Sequence, residues 1–479
     1  MSTYHGRPCI ARRFQLVLSS FLQKDGLPFA DVLPEEQIEA AFAEENATFA
    51  EGEDGIYTPP MTVWAFLSQV LHKQEQRSCI AAVSRVIVLL VALGLKACAK
   101  NSGAYCKARA KLPEKVIRRL ATSLADGCEQ KVPRRWLWRG RHVKLGDGST
   151  LSMPDTEENQ AEYPQQKRQK EGLGFPLARI MALFSLATGM VCDMSMGPYS
   201  GKETGEGALL RQLLDRLDPR DILLTDRLHC SYFMIALLLL GKRDFVARLH
   251  QSRKTDFQRT TRLGRGDHMV VWKRPEKPDW MDQATYEQIP ETITLRLVEV
   301  KVDEPGFRTE SFFVVTTLTD AKRYRKEEIA QLYRKRWLAE LDLRAVKISL
   351  GMDILRCKTP AMVRKEVWTC LLAYNLIRKT MLQAAQKAGL WPRALSFTTA
   401  MQTIAASLMA LPVLDEAIAM RLVDVQLSSL AEQIVGNRPN RFEPRAVKRR
   451  PKPHRLLNMT RQQARDLLRR GIDPYAKQK

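Results

Sequence analysis

RHVKLGDGST, residues 141–150, marks the point at which the apolar spacing of the chain changes from a helical to an extended pattern. It predicts a short strand that ends at Asp147, a residue flanked by glycines. The next segments predict a hairpin, a helix, a strand ending at Asp226, a buried helix and a further strand. Strands that alternate with helices and end in acids predict an α/β core. These segments are LARIMALFSLATGMVCDMSMGPY (177–199), GEGALLRQLLDRL (205–217), DILLT (221–225), SYFMIALLLLG (231–241) and DFVARL (244–249).

Downstream of this core the pattern becomes strand-like between about residues 251 and 317. Three runs, separated by polar and proline-containing loops, are rich in β-branched and aromatic side chains. They predict a β-rich segment that interrupts the α/β core. The runs are HMVVWK (268–273), TITLRLVEVKV (292–302) and SFFVVTTL (311–318).

Helices return in QLYRKRWLAELDLRAVKISL, residues 331–350. A helix advances by about 100° per residue, so residues at offsets 0, 3, 7 and 14 share one face. That face carries an aromatic hydroxyl, a carboxylate and two cations, a composition suited to metal binding beside phosphate. The residues on it are Tyr333, Arg336, Glu340 and Lys347, with Arg344 and Trp337 close beside them.

The first 130 residues or so predict helices. One helix is expected to begin at Pro34, a long apolar one to run from Met61 to Leu95, and another to begin at Pro113. In the last of these, Arg118 and Arg119 are equally compatible with a DNA-facing and a solvated surface. The apolar runs at 86–95 and 233–240 are about half the length that a membrane span requires, so both are expected to be buried helices.

Charge points to a polyanionic partner. The 479 residues include 76 Lys and Arg against 53 Asp and Glu, a formal net charge of +23. Residues 438–479 carry 14 of these cations and three acids, a net +11 in a segment too rich in proline and arginine to form a core. Because counterion release favours binding of cationic proteins to nucleic acid, DNA is the expected partner.

Cysteine usage indicates a reduced, cytoplasmic protein. No CxxC pair occurs, which argues against a zinc module and against a disulfide framework. The start of the chain, MSTYHGRPCIARR, lacks the long apolar core of a signal peptide. The nine cysteines are at positions 9, 79, 98, 106, 128, 192, 230, 357 and 370.

Three acids are candidates for chemistry, namely Asp147, Asp226 and Glu340. Taken singly, each has a structural alternative: Asp147 a turn, Asp226 a cap of the helix that starts near Ser231, and Glu340 an ion pair with Arg344. Taken together, two strand ends and an overlying helix bring carboxylates close enough to repel one another. Two Mg²⁺ ions, or Mn²⁺ in their place, would relieve that repulsion and serve phosphodiester chemistry.

The chain resembles the bacterial insertion-sequence transposases of the DDE class, and most of all insertion sequence family 4. The similarity lies in the Tyr333/Arg336/Glu340/Lys347 spacing and in LGDGS and LLTDRLHCSYF upstream of it. YTPPMTVWAFLSQVL, GAYCKARAKLP and VKRRPKPHRLL extend it over nearly the whole chain.

The resemblance implies a ribonuclease H-like core in which Asp147, Asp226 and Glu340 hold the metal ions. It also implies that a group of basic and aromatic residues contacts DNA, and that an aromatic of the β insertion traps a flipped base. The candidate for the flipped base is Phe312, followed by Phe313 and then by Trp272 and Trp280, although a strand-core role is the more frequent one for both phenylalanines. The family commonly has Asp-Arg-Gly-Phe where this chain has Asp-Arg-Leu-His at 226–229, so a different turn is expected there, and His229 is expected to be structural or DNA-facing. The DNA-contacting candidates are Tyr333, Arg336, Lys347, Trp337, Arg248, Arg227 and Arg344, and for Trp337 packing on the core is an equal alternative.

The activity that the resemblance implies is cut-and-paste transposition through a DNA hairpin, without a covalent protein–DNA intermediate. Partners would be the terminal inverted repeats and target DNA, bound by a homodimer, with no membrane association. Two alternatives remain: a catalytically inactive, transposase-derived regulator and another ribonuclease H-like nuclease. The expected divisions are a helical DNA-end-binding domain (1–135), a first core part (136–250), a β-rich insertion (251–320), a second core part with the motif helix (321–390) and a helical, basic C-terminal region (391–479).

Overall fold

The structure is a computed structural model that describes residues 16–23, 42–43, 55–253, 255–301, 311–436 and 457–475. The helix expected to begin at Pro34, the start of the chain and much of the basic tail lie outside these described residues. Within them the chain forms a mixed α/β structure built on one large sheet. The strands are β1 (Val143–Ser152), β2 (Leu177–Ser185), β3 (Val191–Pro198), β4 (Ile222–Thr225), β5 (Asp244–Arg248), β6 (Thr261–Gly264), β7 (Asp267–Lys273), β8 (Thr292–Lys301) and β9 (Ser311–Thr316).

The described strands pair in the order β3-β2-β1-β4-β5-β9-β8-β7-β6. Strands β1, β4 and β5 are parallel, and the other neighbouring pairs are antiparallel. The expected β-rich segment is therefore not a separate layer. Its last strand pairs with core strand β5, Arg248 opposite Val314, and so extends the core sheet.

Apolar side chains alternate along these strands and bury both faces of the sheet. In β4, Ile222 and Leu224 belong to the larger core, whereas Leu223 belongs to the smaller one. In β5, Val246 and Phe245 divide in the same way. Each face therefore needs its own cover of helices, as expected for an α/β sheet.

Helices flank the sheet and extend beyond it, and the longest, α11, is buried through most of its length. Among the described residues, no helix is both long and apolar enough to cross a bilayer. The helices are α1 (Pro59–Val70), α2 (Cys79–Ala92), α3 (Gly103–Lys111), α4 (Glu114–Gln130), α5 (Glu157–Glu162), α6 (Glu206–Arg211), α7 (Tyr232–Leu240), α8 (Gln283–Gln288), α9 (Lys326–Arg334), α10 (Trp337–Arg344), α11 (Pro360–Ala388), α12 (Phe397–Ser407), α13 (Glu416–Glu432) and α14 (Arg461–Arg469).

The long helix expected from Met61 to Leu95 is instead two helices, α1 and α2. A short 3₁₀ turn at Gln74–Arg77 separates them, and the Ser78 hydroxyl caps α2 by accepting from the Ala81 amide. The expectation that residues 86–95 are buried was wrong in part. Val88, Val91 and Leu95 are exposed, because α2 packs on its neighbours through one side only.

The segment at 331–350 is likewise not one continuous α-helix, since α9 ends at Arg334 and α10 begins at Trp337. Between them the amides of Lys335 and Arg336 bond to carbonyls three residues back, which is 3₁₀ geometry. After α10 the segment widens into a π-type turn at Ala345–Ser349. We call residues 326–350 the motif segment.

The end of the motif segment is held from outside. The Arg77 guanidinium donates to the carbonyls of Leu350 at 3.0 Å and Gly351 at 2.8 Å, and Lys73 donates to that of Ile348 at 2.7 Å. Terminal carbonyls of a helix have no partner within it, so these contacts satisfy them from the α1–α2 connection. The N-terminal helices and the motif segment are therefore joined directly.

Candidate active site

Strands β1 and β4 place two of the three acids side by side. They are parallel, with Leu145 opposite Leu224, so Asp147 and Asp226 each follow two residues further along. Asp147 does not end its strand as expected, because β1 continues through it to Ser152. The alternative of an Asp-Gly turn at this position was therefore wrong.

Asp226 directly follows β4, as expected, and its carboxylate accepts a hydrogen bond from the Leu228 amide at 2.8 Å. It caps a short 3₁₀ turn at Arg227–His229, whereas α7 is capped by Ser231. His229 is buried, with Nε2 3.9 Å from Asp226 Oδ1, so it contacts the acid rather than facing outward.

The motif segment lies across these strands and supplies the third acid. Glu340 Oε1 accepts from Arg336 Nη2 at 2.6 Å, so the acid pairs with the preceding arginine and not with Arg344 as the alternative proposed. Seven residues beyond Glu340, Lys347 donates to Ser149 Oγ at 2.7 Å. These contacts align the motif segment along β1.

All three acids line one cleft of ≈ 560 Å³. The broken helix still presents to it the four residues expected on one face, because the 3₁₀ and π distortions are local. The cleft combines carboxylates with a surplus of cations, the electrostatic pattern expected for metal and phosphate together. Its lining comprises Asp147, Asp226, Glu340, Tyr333, Arg336, Lys347, Arg227, Arg248 and Arg344, with Gly148, Ser149, Leu343 and Ile348.

Burial raises the pKa of the Asp147 carboxyl to about 6, and the negative charges of Glu340 and Asp226 add to the increase. The Arg336 guanidinium and the Gly148 amide act in the opposite direction. The pKa of Tyr333 is also raised by burial. Asp147 is thus a carboxyl whose ionised form is destabilised by its surroundings, as in many catalytic sites.

The aromatic candidates are placed differently from one another. Phe312 lies beside the cleft, with its ring centroid 5.4 Å from that of Tyr333 and the Arg248 guanidinium 4.8 Å above it. Phe313 contacts Phe257 at 5.0 Å and packs against the smaller core. Trp337 is 55% exposed and outside the cleft lining, so the alternative that it packs its helix on the core was wrong.

The two tryptophans of the β-rich segment are engaged in packing. Trp272 is buried beneath the Arg253 guanidinium, which lies 3.7 Å from its ring centroid. Trp280 packs edge-on against Phe233 and carries the Arg211 guanidinium at 3.8 Å. Neither lines the cleft.

The donor set suits a hard divalent cation, because it consists of the carboxylate oxygens of Asp147, Asp226 and Glu340 in one cleft. The acids share a cleft without converging on one point: within the residues described, no group of three His, Cys, Asp or Glu side chains is arranged to hold a metal ion. Glu340 is held by Arg336. The donor chemistry fits Mg²⁺ or Mn²⁺, provided that Glu340 turns from Arg336 toward the aspartates.

Glu206, at the start of α6, is an acid that sequence reasoning did not single out. A Cβ on Gly148 would lie 2.5 Å from Glu206 Cδ, so this carboxyl packs over the glycine next to Asp147. Burial raises the pKa of Glu206, and the charge of Asp226 adds to it. A glycine pair flanking an acid, Gly205-Glu206-Gly207, was its sole sequence signal.

Asp342 is a second such residue, two positions after Glu340 and fully buried. It accepts from Arg378 at 2.6 Å, from Arg393 at 2.8 Å and from the Tyr374 hydroxyl at 3.1 Å. These contacts fasten α10 to α11 from the side opposite the cleft. An acid on the apolar side of an amphipathic helix was a signal that could have revealed it, since such an acid needs buried partners.

Of the two N-terminal arginines, Arg118 lies within reach of internal partners. Its guanidinium donates to Asp193 at 2.8 Å and lies 5.5 Å from the Trp368 ring centroid. The side chain is half exposed, so it is neither a free DNA-facing cation nor a purely solvated one.

Comparisons with known proteins identify the family that this chain matches. Residues 138–376 match the model of the family described as "Transposase DDE domain". The chain is 27% identical over 402 residues to the transposase InsG for insertion sequence element IS4 of Escherichia coli (strain K12). The aligned region covers 82% of this chain and 85% of the relative. It superposes on the piggyBac transposase in its synaptic complex with hairpin DNA with a TM-score of 0.42 and 12% identity, over 87% of this chain and 85% of that one. A score of that size does not establish a shared fold.

Proposed function

Because the chain belongs to the DDE transposases of the insertion sequence 4 type, we propose that it moves its element by a metal-dependent cut-and-paste reaction. It would hydrolyse the phosphodiester at each element end and join the freed 3′-end to target DNA. The observation that carries this proposal is the cleft in which Asp147, Asp226 and Glu340 meet the cations of the motif segment.

Asp147, Asp226 and Glu340 are the residues that would hold two Mg²⁺ or Mn²⁺ ions. When bound, the ions supply activation of the attacking hydroxyl and charge stabilisation at the leaving oxygen. Arg336 and Lys347 would hold the phosphates that flank the scissile bond, with Tyr333 completing that wall of the cleft. Arg227, Arg248 and Arg344 would extend the cationic track along the strand, and the exposed Trp337 would contact DNA outside the cleft.

After the first cut, the freed 3′-hydroxyl would attack the phosphodiester of the opposite strand, which forms a hairpin on the element end and releases the flanking DNA with a 3′-hydroxyl. A hairpin bends the backbone tightly, and extrusion of one base relieves that strain. Phe312 is the proposed partner of the extruded base, because it lies against Tyr333 at the edge of the cleft and beneath Arg248. Resolution of the hairpin would regenerate the 3′-end for strand transfer at the same site.

The sheet order supports a ribonuclease H-like core. Three antiparallel strands, β3-β2-β1, are followed by β4 and β5, which run parallel to β1. We propose that β6 to β9 form the family's insertion within residues 251–320, and that helices of residues 1–135 and the basic region of 391–479 bind the element ends. The transposase would act as a homodimer on double-stranded DNA in the cytoplasm, associated with the nucleoid.

Incubation of the protein with Mg²⁺ or Mn²⁺ and the terminal DNA of its own element tests the proposal. We expect a nick, then a hairpin whose formation releases the flanking DNA, and then an opened element end. Glu340→Ala should abolish all three products, whereas Glu327→Ala, which removes an exposed glutamate at the start of α9, should retain them.

The same assay separates the alternatives. Tight binding of terminal DNA without cleavage would indicate a catalytically inactive regulator. Cleavage of unrelated branched DNA, without preference for the element end, would indicate a different nuclease of similar fold. Strand breaks at the element end without any hairpin would support the assignment as a transposase and contradict only the proposed hairpin intermediate.

A further inference from the structure

A second pocket, of ≈ 340 Å³, lies on the other side of the motif segment from the catalytic cleft. Consecutive residues separate the two: Arg336 lines the cleft and Lys335 lines the pocket. Three tryptophans and three cations contribute to its wall, and no carboxylate does. These residues are Trp136, Trp138, Trp391, Arg135, Arg139 and Lys335.

Four separate parts of the chain build this pocket, one of them Leu186, which directly follows β2. The turn before β1 supplies Trp138 and Arg139, the latter at a φ of 51°. The end of α11 supplies Trp391, which follows Gly389 at a φ of 69°. The motif segment supplies Lys335 from the 3₁₀ break between α9 and α10.

Some of the lining is committed to structure. Trp136 is buried and donates from its indole nitrogen to the Leu390 carbonyl at 3.1 Å, so it forms the floor. Arg139 pairs with Glu328 at 2.6 Å. Trp138 stacks on Tyr324, with ring centroids 5.8 Å apart and planes at 13°. These contacts fix the shape of the pocket without filling it.

Other lining groups remain available. Lys335 Nζ lies 5.4 Å from the ring centroid of Trp391 and, among the described residues, no ion pair engages it. Trp138 and Trp391 are half-buried. The pocket therefore offers indole surface and a cation whose charge no neighbouring acid cancels.

We propose that this pocket binds one unpaired nucleotide of DNA, with the base against Trp138 and Trp391 and its phosphate at Lys335 and Arg135. The proposal rests on the proposed function, since it assigns the pocket to the DNA that the transposase processes. Aromatic rings with neighbouring cations are the chemistry that holds unstacked bases, because every base has a face that stacks. A recess of this volume admits a single nucleotide but not a duplex.

The position of the pocket favours a nucleotide near the scissile phosphate. Because Lys335 and Arg336 are adjacent, DNA that leaves the cleft at Arg336 and passes around the motif segment would reach the pocket. The unpaired nucleotide comes either from the element end or from the DNA flanking or receiving it. Both sources present the same base and phosphate.

Fluorescence anisotropy with labelled DNA duplexes tests the proposal on the full chain, without divalent ions. One duplex is continuous and a second of the same sequence carries one unpaired thymidine. Trp391→Ala should weaken binding of the second duplex about 5- to 150-fold, the range for loss of one base–aromatic stack, and leave the continuous duplex within about twofold. Lys335→Ala should act in the same direction, and Trp391→Phe should retain binding.

A comparison of terminal DNA of the element with arbitrary duplex identifies the source of the unpaired nucleotide. If the preference for the unpaired nucleotide occurs only in terminal DNA of the element, the end supplies it; if it also occurs in arbitrary duplex, flanking or target DNA does. Lys202→Ala, an exposed lysine outside the pocket, is the matched control and should change neither affinity. Trp138→Ala, together with circular dichroism, gives a second variant should Trp391→Ala not fold.

Equal loss of affinity for both duplexes, or no loss for either, would overturn the proposal. Because the assay measures binding alone, its outcome is independent of cleavage. A wild-type protein that discriminates the unpaired nucleotide but does not cut terminal DNA with Mg²⁺ would refute the proposed function and leave the pocket assignment standing.

Discussion

Asp147 lines the cleft at a cost to the stability of the folded protein. Its pKa of about 6 in the folded protein lies above its ordinary value of 3.8, so the folded state holds an extra proton between those pH values. Stability therefore falls as pH rises through that window. The folded protein would therefore be more stable with a neutral group at Asp147 than with a carboxylate there.

We expect Asp147→Asn to be more stable than the wild type at pH 7, by on the order of 1 kcal/mol in the free energy of unfolding. The difference should vanish near pH 4, where Asp147 is protonated in the folded protein. Urea unfolding at both pH values, without divalent ions, measures it. Mg²⁺ should then stabilise the wild type and not the variant. A variant less stable than wild type at pH 7 would contradict this account.

Gly148 is glycine because of Glu206. A Cβ at this position would lie 2.8 Å from Glu206 Cγ and 2.5 Å from Cδ. We expect Gly148→Ala to cost about 1 kcal/mol or more, through displacement of that side chain. The double variant Gly148→Ala/Glu206→Ala should be as stable as Glu206→Ala alone, since the obstruction is then gone. Additive losses in a double-mutant cycle would show that the two residues do not interact.

At the scale of elements, the motif segment shows what a periodic pattern conveys and what it omits. The spacing of Tyr333, Arg336, Glu340 and Lys347 correctly predicted a shared surface. It did not predict the break at Lys335, because no proline or glycine marks it. Nor did it predict the π-type turn at Ala345–Ser349, or that Arg77, more than 250 positions away, would hold the carbonyls that follow it.

Asp342 anchors the motif segment, so its substitution should lower the free energy of unfolding. Asp342→Asn leaves Arg378 and Arg393 without their buried counterion, which typically costs about 3–5 kcal/mol. The matched variant is Glu340→Gln, two residues away on the same helix. Its ion pair with Arg336 is partly exposed, and such pairs contribute at most about 1 kcal/mol.

The two variants should therefore separate stability from chemistry. We expect Glu340→Gln to unfold in urea nearly as the wild type does while losing DNA cleavage. Asp342→Asn should unfold at lower urea concentration. Equal midpoints for both variants would mean that Asp342 does not anchor α10.

At the scale of the whole molecule, the sequence predicted the order of helices and strands in the α/β core. Short runs of apolar and β-branched residues were sufficient for β4, β5 and β7 to β9. It was insufficient for the pairing of β9 with β5, because strand partners are chosen by contacts distant in sequence. For the same reason, Glu206 could not be assigned to the site from the sequence, because no pattern in the sequence indicates that α6 packs near β1.

The distributed charge should make DNA affinity depend steeply on salt. Each phosphate contact contributes about 0.9 to the slope of log K against log salt concentration. If Lys448, Arg449 and Arg450 contact phosphates, the triple glutamine variant should lower that slope by up to about 2.7. Anisotropy titrations between low and moderate salt measure it. The charge-preserving variant Lys448→Arg/Arg449→Lys/Arg450→Lys should keep the slope, and an unchanged slope in the glutamine variant would exclude these contacts.

The grip of Arg77 on the end of the motif segment limits how such transposases can be recombined in the laboratory. The carbonyls of Leu350 and Gly351 receive their donors from the N-terminal helices and not from their own neighbourhood. A chimera joined near residue 135, with its first part taken from a relative, must therefore import an arginine at position 77. Without it, the graft would leave the carbonyls of Leu350 and Gly351 without these donors, so the N-terminal part could not be exchanged as an independent cassette.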